Sequence, residues 1–556
     1  MSKNRKLFVA AIFGFRDYFA FVHKNYQFGE VLSLGKRYFR YKRKDDKHMA
    51  IINSIVNWLN FKRIYEIDLF KKHPIDTQRE VLFELLDQAR DTEFGEQYNF
   101  RGITTEAEFK KRIPIRSYED FSPYIDRLLK GEKNILWPGE TKWFAKSSGT
   151  TNDKSKFIPV SKHSLEDVHY RGFKDVLALY LKNNPESGVL LGKSLTLGGS
   201  HRVNSFNNNS FYGDLSAILI ENTPFWSDFI RTPPADVALI EEFDEKVAKI
   251  IEQSRDENVT SLAGVPSWNL VLLNRVLEAT GKKNILDVWP NLEVFIHGGI
   301  KFDPYREQYR QIIPSDDMRY METYNASEGF FAIQDNPETT DLLLMLDYGI
   351  YYEFIPMDRF HEENPPALSL EEVELEKNYA MVISTNGGLW RYLIGDTVKF
   401  TRRNPFKIKI TGRTKHYINA FGEELIIDNA EEALKVACNR TQATILEYTA
   451  GPVFMGENQK GAHQWIIEFD QKPDDLEHFI SVLDGTLKTL NSDYEAKRHK
   501  NITLERPHIT LAPEGLFYEW MKQRGKIGGQ NKIPRLANDR IYLDQLLELQ
   551  KNKFDN

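Results

Sequence analysis

Between Asn134 and about Ile410 the chain alternates short β-rich runs with helical ones, and this alternation restricts the fold more than any other feature. The runs "KSLTLGG", "VTSLAGVPSW", "LEVFIHGG", "MRYMETY", "LLLMLDYGIYYEFIPM" and "YAMVIST" have strand character. The segments "FDEKVAKIIEQS" and "NLVLLNRVLEATG" between them have helical spacing. Such alternation predicts α/β sheets covered by helices. Residues 1–135 read mostly helical, with apolar residues three and four apart over Ile51–Trp58 and Gln78–Ala89. Beyond "TGRTK" (Thr411–Lys415) the sequence turns polar and glycine-punctuated. Helical runs at Asp428–Cys438 and Leu476–Leu490, with strands at "TILEYTAGPVF" and "HQWIIEFD", then predict a small α+β domain. The expected organisation is an N-terminal domain over 1–411, comprising a helical lead-in (1–135) and a sheet-rich part (136–411), and a C-terminal domain over 412–556.

A chain of 556 residues exceeds one compact domain. Its formal net charge of −6 argues against a nucleic-acid partner held by bulk charge. The single Cys438 leaves no internal disulfide and fits a reducing, cytoplasmic setting. The apolar run Leu7–Phe15 follows a basic start, but it is far shorter than the ~20 residues of a membrane span. Arg16 and Asp17 follow it at once, so it predicts an amphipathic or buried helix, with weak membrane-surface contact as the alternative.

Three stretches bear chemistry. "KSSGTTNDKSKFIPVS" (Lys146–Ser161) sits between two strand-like runs, which predicts a hairpin tip; it lacks the strand-to-helix GxxxxGK[ST] form of a Walker loop. Ser147, Ser148, Thr150 and Thr151 offer hydroxyls, Gly149 permits close backbone approach, and Lys154 or Lys156 can offset phosphate charge. In "METYNASEGFFAIQ" (Met321–Gln334), Tyr324 offers a ring face for adenine, Thr323 or Ser327 a phosphate contact, and Glu328 a hard oxygen ligand for Mg²⁺. In "LWRYLIGDTVKF" (Leu389–Phe400), Asp396 follows Gly395 between strand-like runs, where a carboxylate can accept from two ribose hydroxyls. Read singly, each stretch is equally an ordinary turn.

Taken together and in order, they resemble the adenylate-forming superfamily of acyl-CoA synthetases, luciferases and adenylation domains. Within it, "IPIRSYEDFSPYIDRLLKGE", "SSGTT…K", "TYNASEG" and "YLIGDTVKF" resemble the auxin-responsive acyl-acid amido synthetases (the Gretchen Hagen family), in a bacterial-type form. The resemblance spans nearly the whole chain. It implies phosphate contacts at Ser147, Ser148, Gly149, Thr150 and Thr151, adenine or phosphate contacts at Thr323 and Tyr324, Mg²⁺ at Glu328 and ribose at Asp396. "GRTKHYINAFGEELIIDNAEEAL" (Gly412–Leu434) resembles the superfamily's hinge, with Arg413 as a nucleotide contact and Lys415 where Asp is frequent. Lys532, in "GGQNKIPR", is the candidate for a mobile lysine reaching the α-phosphate. The implied substrates are ATP, a small carboxylic acid and an amino acid. The implied reaction is adenylation of the acid, then amide formation. Coenzyme A as acceptor, or an adenylate-binding sensor without turnover, are the alternatives. Phe211, Tyr212, Trp226 and Trp268 are candidates for an apolar acyl slot, and equally for core; Arg202 is a weaker candidate for the acid's carboxylate.

Overall fold

The computed structural model describes residues 61–553, apart from 148–155, 198–203, 208–209, 224–226, 228–229, 241, 301, 303–304, 361, 415–416, 424, 457–459, 500–502 and 525–533. Ile51–Trp58 and the apolar run Leu7–Phe15 lie outside the described residues.

The described chain starts in helices. Thr105 caps Glu106–Arg112 reciprocally with Glu108: each backbone N–H donates to the other's side chain at 3.2 Å. Helix Tyr118–Leu129 buries Phe121, Ile125, Leu128 and Leu129, the stripe expected of a helix lying on a core. The C-terminal end of the first of these helices is fastened to the sheet by Arg391. Its guanidinium grips buried Glu353 through two 2.9 Å bonds and donates to the carbonyls of Lys110 and Ile113. Pairing both carboxylate oxygens with a planar donor keeps two buried charges satisfied.

An eleven-stranded mixed sheet forms the centre. One half is parallel: Arg231–Thr232, Lys193–Thr196, Val259–Gly264, Val294–Gly298 and Arg319–Ala326 lie side by side in that order. The other half is antiparallel and ends at Ile350–Pro356. The change of hand falls at Arg319–Ala326, parallel to Val294–Gly298 on one side and antiparallel to Gly329–Ile333 on the other. A smaller sheet carries Trp143–Ser147 between Lys156–Val160 and Ser210–Gly213. Its first two strands pair antiparallel with Ser147 opposite Lys156, so the loop expected as a hairpin tip is spanned by a true hairpin.

One β-rich run divides in two, and one expectation needs correction. "LLLMLDYGIYYEFIPM" is two strands, Leu342–Leu344 and Ile350–Pro356, which are not neighbours in the sheet. Gly349, at φ +68°, takes the intervening turn, and apolar runs alone do not mark such a break. Asp396 is not at a bend between strands but inside one strand, Tyr392–Arg403. Gly395, at φ +94°, twists that strand locally without ending it.

After Arg413 the chain builds a three-stranded sheet, Thr444–Val453, Ala462–Gln471 and His508–Leu511, with helices Ile427–Thr441 and Leu476–Leu490 against each other. One apolar cluster runs from the parallel half of the large sheet (Leu262, Phe295) and the helix Arg306–Ile312 (Tyr309) into this part (Phe421, Trp465, Leu536). Tyr305 donates to the Ala420 carbonyl at 2.6 Å across the junction.

His169, fully buried on the helical segment Ser164–Tyr170, has no partner for either ring nitrogen. Burial pushes its pKa down to about 4. The unfolded chain therefore binds a proton near its ordinary pKa of about 6.5 that the folded chain refuses, so stability falls as pH drops from about 6.5 towards about 4. His169→Leu should flatten this loss by up to ~3 kcal/mol, seen as a smaller drop in unfolding midpoint between pH 7 and pH 4. An unchanged pH slope would remove His169 as the cause.

Candidate active site

The carboxyl ends of the parallel strands open onto a cavity of about 980 Å³. Ligands of open α/β sheets characteristically bind outside the carboxyl ends of the strands. The floor is Arg319–Ala326 and its continuation to Glu328; Asp396 and Lys409–Arg413 form one wall. His297, Gly299, Phe302 and Arg306 form a second wall, and Asn419, Phe454, Pro534, Asp539 and Tyr542 close the far side.

Of the residues expected to contact nucleotide or metal, Ser147, Lys156, Thr323, Tyr324, Ser327, Glu328, Asp396 and Arg413 all line this cavity. Ser148, Gly149, Thr150, Thr151 and Lys532 lie outside the described residues, as do Lys154, Lys415, Arg202 and Trp226. Phe211 packs on Trp143 (centroids 5.0 Å apart), Tyr212 on Phe157 (5.4 Å), and Trp268 lies under the Lys497 ammonium (4.5 Å). None of these three lines the cavity, and the structure does not bring them together.

Three side chains hold the cavity floor to its wall. The Tyr324 hydroxyl donates to Asp396 Oδ2 at 2.7 Å, and Arg413 Nε donates to Asp396 Oδ1 at 2.9 Å. Asp396 and Arg413 are directly opposite one another on paired strands. A carboxylate offers about four lone-pair sites, so Asp396 keeps capacity for further donors after these two bonds. The Tyr324 ring, 5% exposed, packs against Phe331 (4.8 Å). Burial and the adjoining Asp396 charge push its phenol well above the ordinary range.

Glu328 opens onto the cavity but is otherwise enclosed by protein. Burial pushes its carboxyl up to about 7, against the opposing pull of the Lys156 charge. The Lys156 ammonium also lies over the Tyr118 ring at 5.6 Å, and the Tyr118 hydroxyl accepts from the Phe157 backbone N–H at 2.8 Å. A carboxylate whose ionised form is short of compensating charge is suited to a cation. No group of three or more His, Cys, Asp and Glu gathers among the described residues. Mg²⁺ that takes most of its ligands from phosphate oxygens and water needs only one or two carboxylates, and Glu328 fits that demand.

The sequence reading missed the His297–Gly299 corner. His297 stacks on Phe302 (4.3 Å), and burial with the Arg306 charge pushes its imidazole down to about 3. Gly298 lets two strands touch: a Cβ there would sit 2.6 Å from the Thr323 carbonyl oxygen and 2.9 Å from its Oγ1. The glycine pair closing "VFIHGG" was the available signal for close approach at a strand end.

Comparison with known proteins defines the class first. The chain shares its fold with an acyl acid amido synthetase, GH3.15 (TM-score 0.53, 18% identity, 85% of this chain and 93% of that one). It shares it also with a 2-hydroxyisobutyryl-CoA ligase (TM-score 0.54, 13% identity, 86% and 92%). The fold is the one these two ligases share. Family models then match along the chain: the GH3 family N-terminal domain over residues 63–318, the central domain over 343–413 and the C-terminal domain over 428–541. The chain belongs to the GH3 family. Relatives include an indole-3-acetic acid-amido synthetase of Arabidopsis thaliana, GH3.4 (22% identical, covering 86% of this chain and 92% of the relative). A jasmonoyl-L-amino acid synthetase of Nicotiana attenuata is 24% identical (60% and 68%). These are plant proteins, and their names lend no support to a bacterial-type form. No described helix is long and apolar enough to cross a membrane.

Gly298→Ala should force the two strands apart. Overpacking of this kind costs about 1–3 kcal/mol, so we expect a lower unfolding midpoint and weaker ATP binding by titration calorimetry. Wild-type values for both would show that the strands yield without disturbing the cavity.

Proposed function

We propose that this chain is an ATP-dependent acyl acid amido synthetase. It adenylates a small carboxylic acid with release of pyrophosphate, then transfers the acyl group to an amino acid with release of AMP. The observation that carries the reading is the convergence of Lys156, Glu328, Tyr324, Asp396 and Arg413 on one cavity, in a chain of this family. We place the reaction in the cytoplasm.

The chemistry explains the residue types. A carboxylate is a poor acyl donor because its leaving group would be oxide. Its oxygen attacks the α-phosphorus, the bond to the β-phosphate oxygen breaks, and pyrophosphate leaves with the electron pair. The resulting mixed anhydride has AMP as a good leaving group. Both reactants are anions, so the site must position them and offset charge rather than supply a nucleophile. Mg²⁺, when bound, screens phosphate negative charge. Glu328 would hold that ion, and Lys156 on the hairpin strand would face the phosphates together with the hydroxyls and amides of Ser147, Ser148, Gly149, Thr150 and Thr151. Thr323, Tyr324 and Ser327 would seat the adenine and α-phosphate side, and Asp396 with Arg413 the ribose. In the second step the amine attacks the carbonyl carbon, AMP departs with one former carboxylate oxygen, and the ammonium proton is lost.

We further propose a domain boundary at Gly412, with residues 412–556 swinging about Gly412–Lys415 between the two steps and carrying Lys532 to the α-phosphate for the first. Phe211, Tyr212 and Trp268 do not line the cavity, so the acyl slot is not assigned to them.

Acid-dependent ATP–pyrophosphate exchange across a panel of aryl and aliphatic acids tests the first step. AMP release with pooled amino acids or with coenzyme A tests the second. We expect exchange with at least one acid and stimulation by amino acids. Stimulation by coenzyme A alone would move the protein to the ligase class. ATP binding without exchange for any acid would favour a sensor. Lys532→Ala and Glu328→Gln should each lower exchange at least ~100-fold, on the scale of losing one preorganised charged group. Unchanged exchange would remove that residue from the site.

A further inference from the structure

Given the proposed placement of Lys156 against the phosphates, on which this step rests, we infer that Tyr118 is the positioning residue that seats the Lys156 ammonium. This gives a task to the segment "IPIRSYEDFSPYIDRLLKGE" (Ile113–Glu132). None of its side chains lines the cavity, so it acts on the site through its neighbours.

The seat is itself held. The Arg116 backbone N–H donates to the Arg391 carbonyl at 2.9 Å, and the Arg116 carbonyl accepts from the Leu393 N–H at 2.8 Å. These bonds tie the segment to the strand that carries Asp396. One residue on, Asp120 Oδ2 accepts from the Ser117 backbone N–H and from the Ser117 hydroxyl, both at 2.8 Å. Tyr118 therefore enters its helix from a fixed base.

From that base the buried Tyr118 ring lies under the Lys156 ammonium at 5.6 Å, and its hydroxyl accepts from the Phe157 backbone N–H at 2.8 Å. One side chain thus meets the lysine at its tip and grips the backbone just beyond it. A lysine surrenders much rotamer freedom when it is fixed. An aromatic face within about 6 Å of the charge offsets that loss. The ring also orients the ammonium without cancelling its charge, whereas a bonded carboxylate would compete with phosphate oxygens. On the same helix face, Phe121 packs edge-on against Tyr392 (6.0 Å), whose hydroxyl donates to Glu328 Oε1 at 3.5 Å. The helix Tyr118–Leu129 therefore touches the residues behind both Lys156 and Glu328 and keeps the two charges in one frame.

The test is titration calorimetry with ATP and with AMP, which needs no turnover and holds for any acid or acceptor. Lys156→Met should weaken ATP binding about tenfold and AMP binding far less, the scale of one charged hydrogen bond to the phosphates that AMP lacks. Tyr118→Leu should lower the ratio of ATP to AMP affinity about fivefold, and Tyr118→Phe, which keeps the ring, less than about twofold. In the Lys156→Met background, Tyr118→Leu should leave the ratio unchanged, because both substitutions then act through one group. A wild-type ratio in Tyr118→Leu, even with a lower unfolding midpoint, would overturn the inference and leave Tyr118 a packing residue. So would an equal fall in both backgrounds, or Tyr118→Phe matching Tyr118→Leu. A wild-type ratio in Lys156→Met would remove Lys156 from the phosphates, and the seat would fall with that placement.

Discussion

The tie from Tyr324 through Asp396 to Arg413 organises the cavity. Tyr324 belongs to the strand where the large sheet changes from parallel to antiparallel, whereas Asp396 and Arg413 belong to two paired strands of the antiparallel half. Hydrogen bonds to a charged group contribute about 1.5–3 kcal/mol each. Two such bonds to one carboxylate fix the distance between floor and wall. They also fix which way the remaining lone pairs of Asp396 point. Any ligand that uses those lone pairs meets a site whose geometry is set before it arrives.

Charge in the cavity is arranged around that tie. The Asp396 charge makes ionisation of Glu328 costlier, and the charges of Lys156 and Arg413 oppose this. Burial prevails at Glu328, which is why its carboxyl titrates near neutrality. Ionised Glu328 is a liability in this setting, and a bound cation would relieve it. Around the other wall, the close approach of Gly298 to Thr323 and the stack of His297 on Phe302 hold the ends of two parallel strands in contact.

Much of this was legible in the sequence because motif residues are local. The hairpin around the Ser/Thr/Gly loop, the strand–turn–strand at Tyr324–Glu328 and the glycine before Asp396 all follow from runs of fewer than a dozen residues. What sequence order conceals is which distant segments meet. The Tyr324–Asp396 bond spans 72 positions, and nothing in either motif announces the other. The aromatic candidates failed to converge for a related reason. Phe211, Tyr212 and Trp268 have the composition of a ligand slot, but aromatic side chains serve strand packing and a cation contact equally well, and only the fold decides. Conversely, His297 and Gly298 looked like the end of an ordinary strand, and only the proximity of Thr323 gives them significance.

The central claim is transfer of AMP to a carboxylate, and the fate of one oxygen tests it directly. A substrate acid labelled with ¹⁸O in its carboxylate would be turned over with ATP and an amino acid, and the phosphorus products read by mass spectrometry. Adenylation at this cavity predicts one ¹⁸O in AMP and none in pyrophosphate. Label in inorganic phosphate, with ADP as co-product, would show that the acid is activated at the γ-phosphate and would contradict the account.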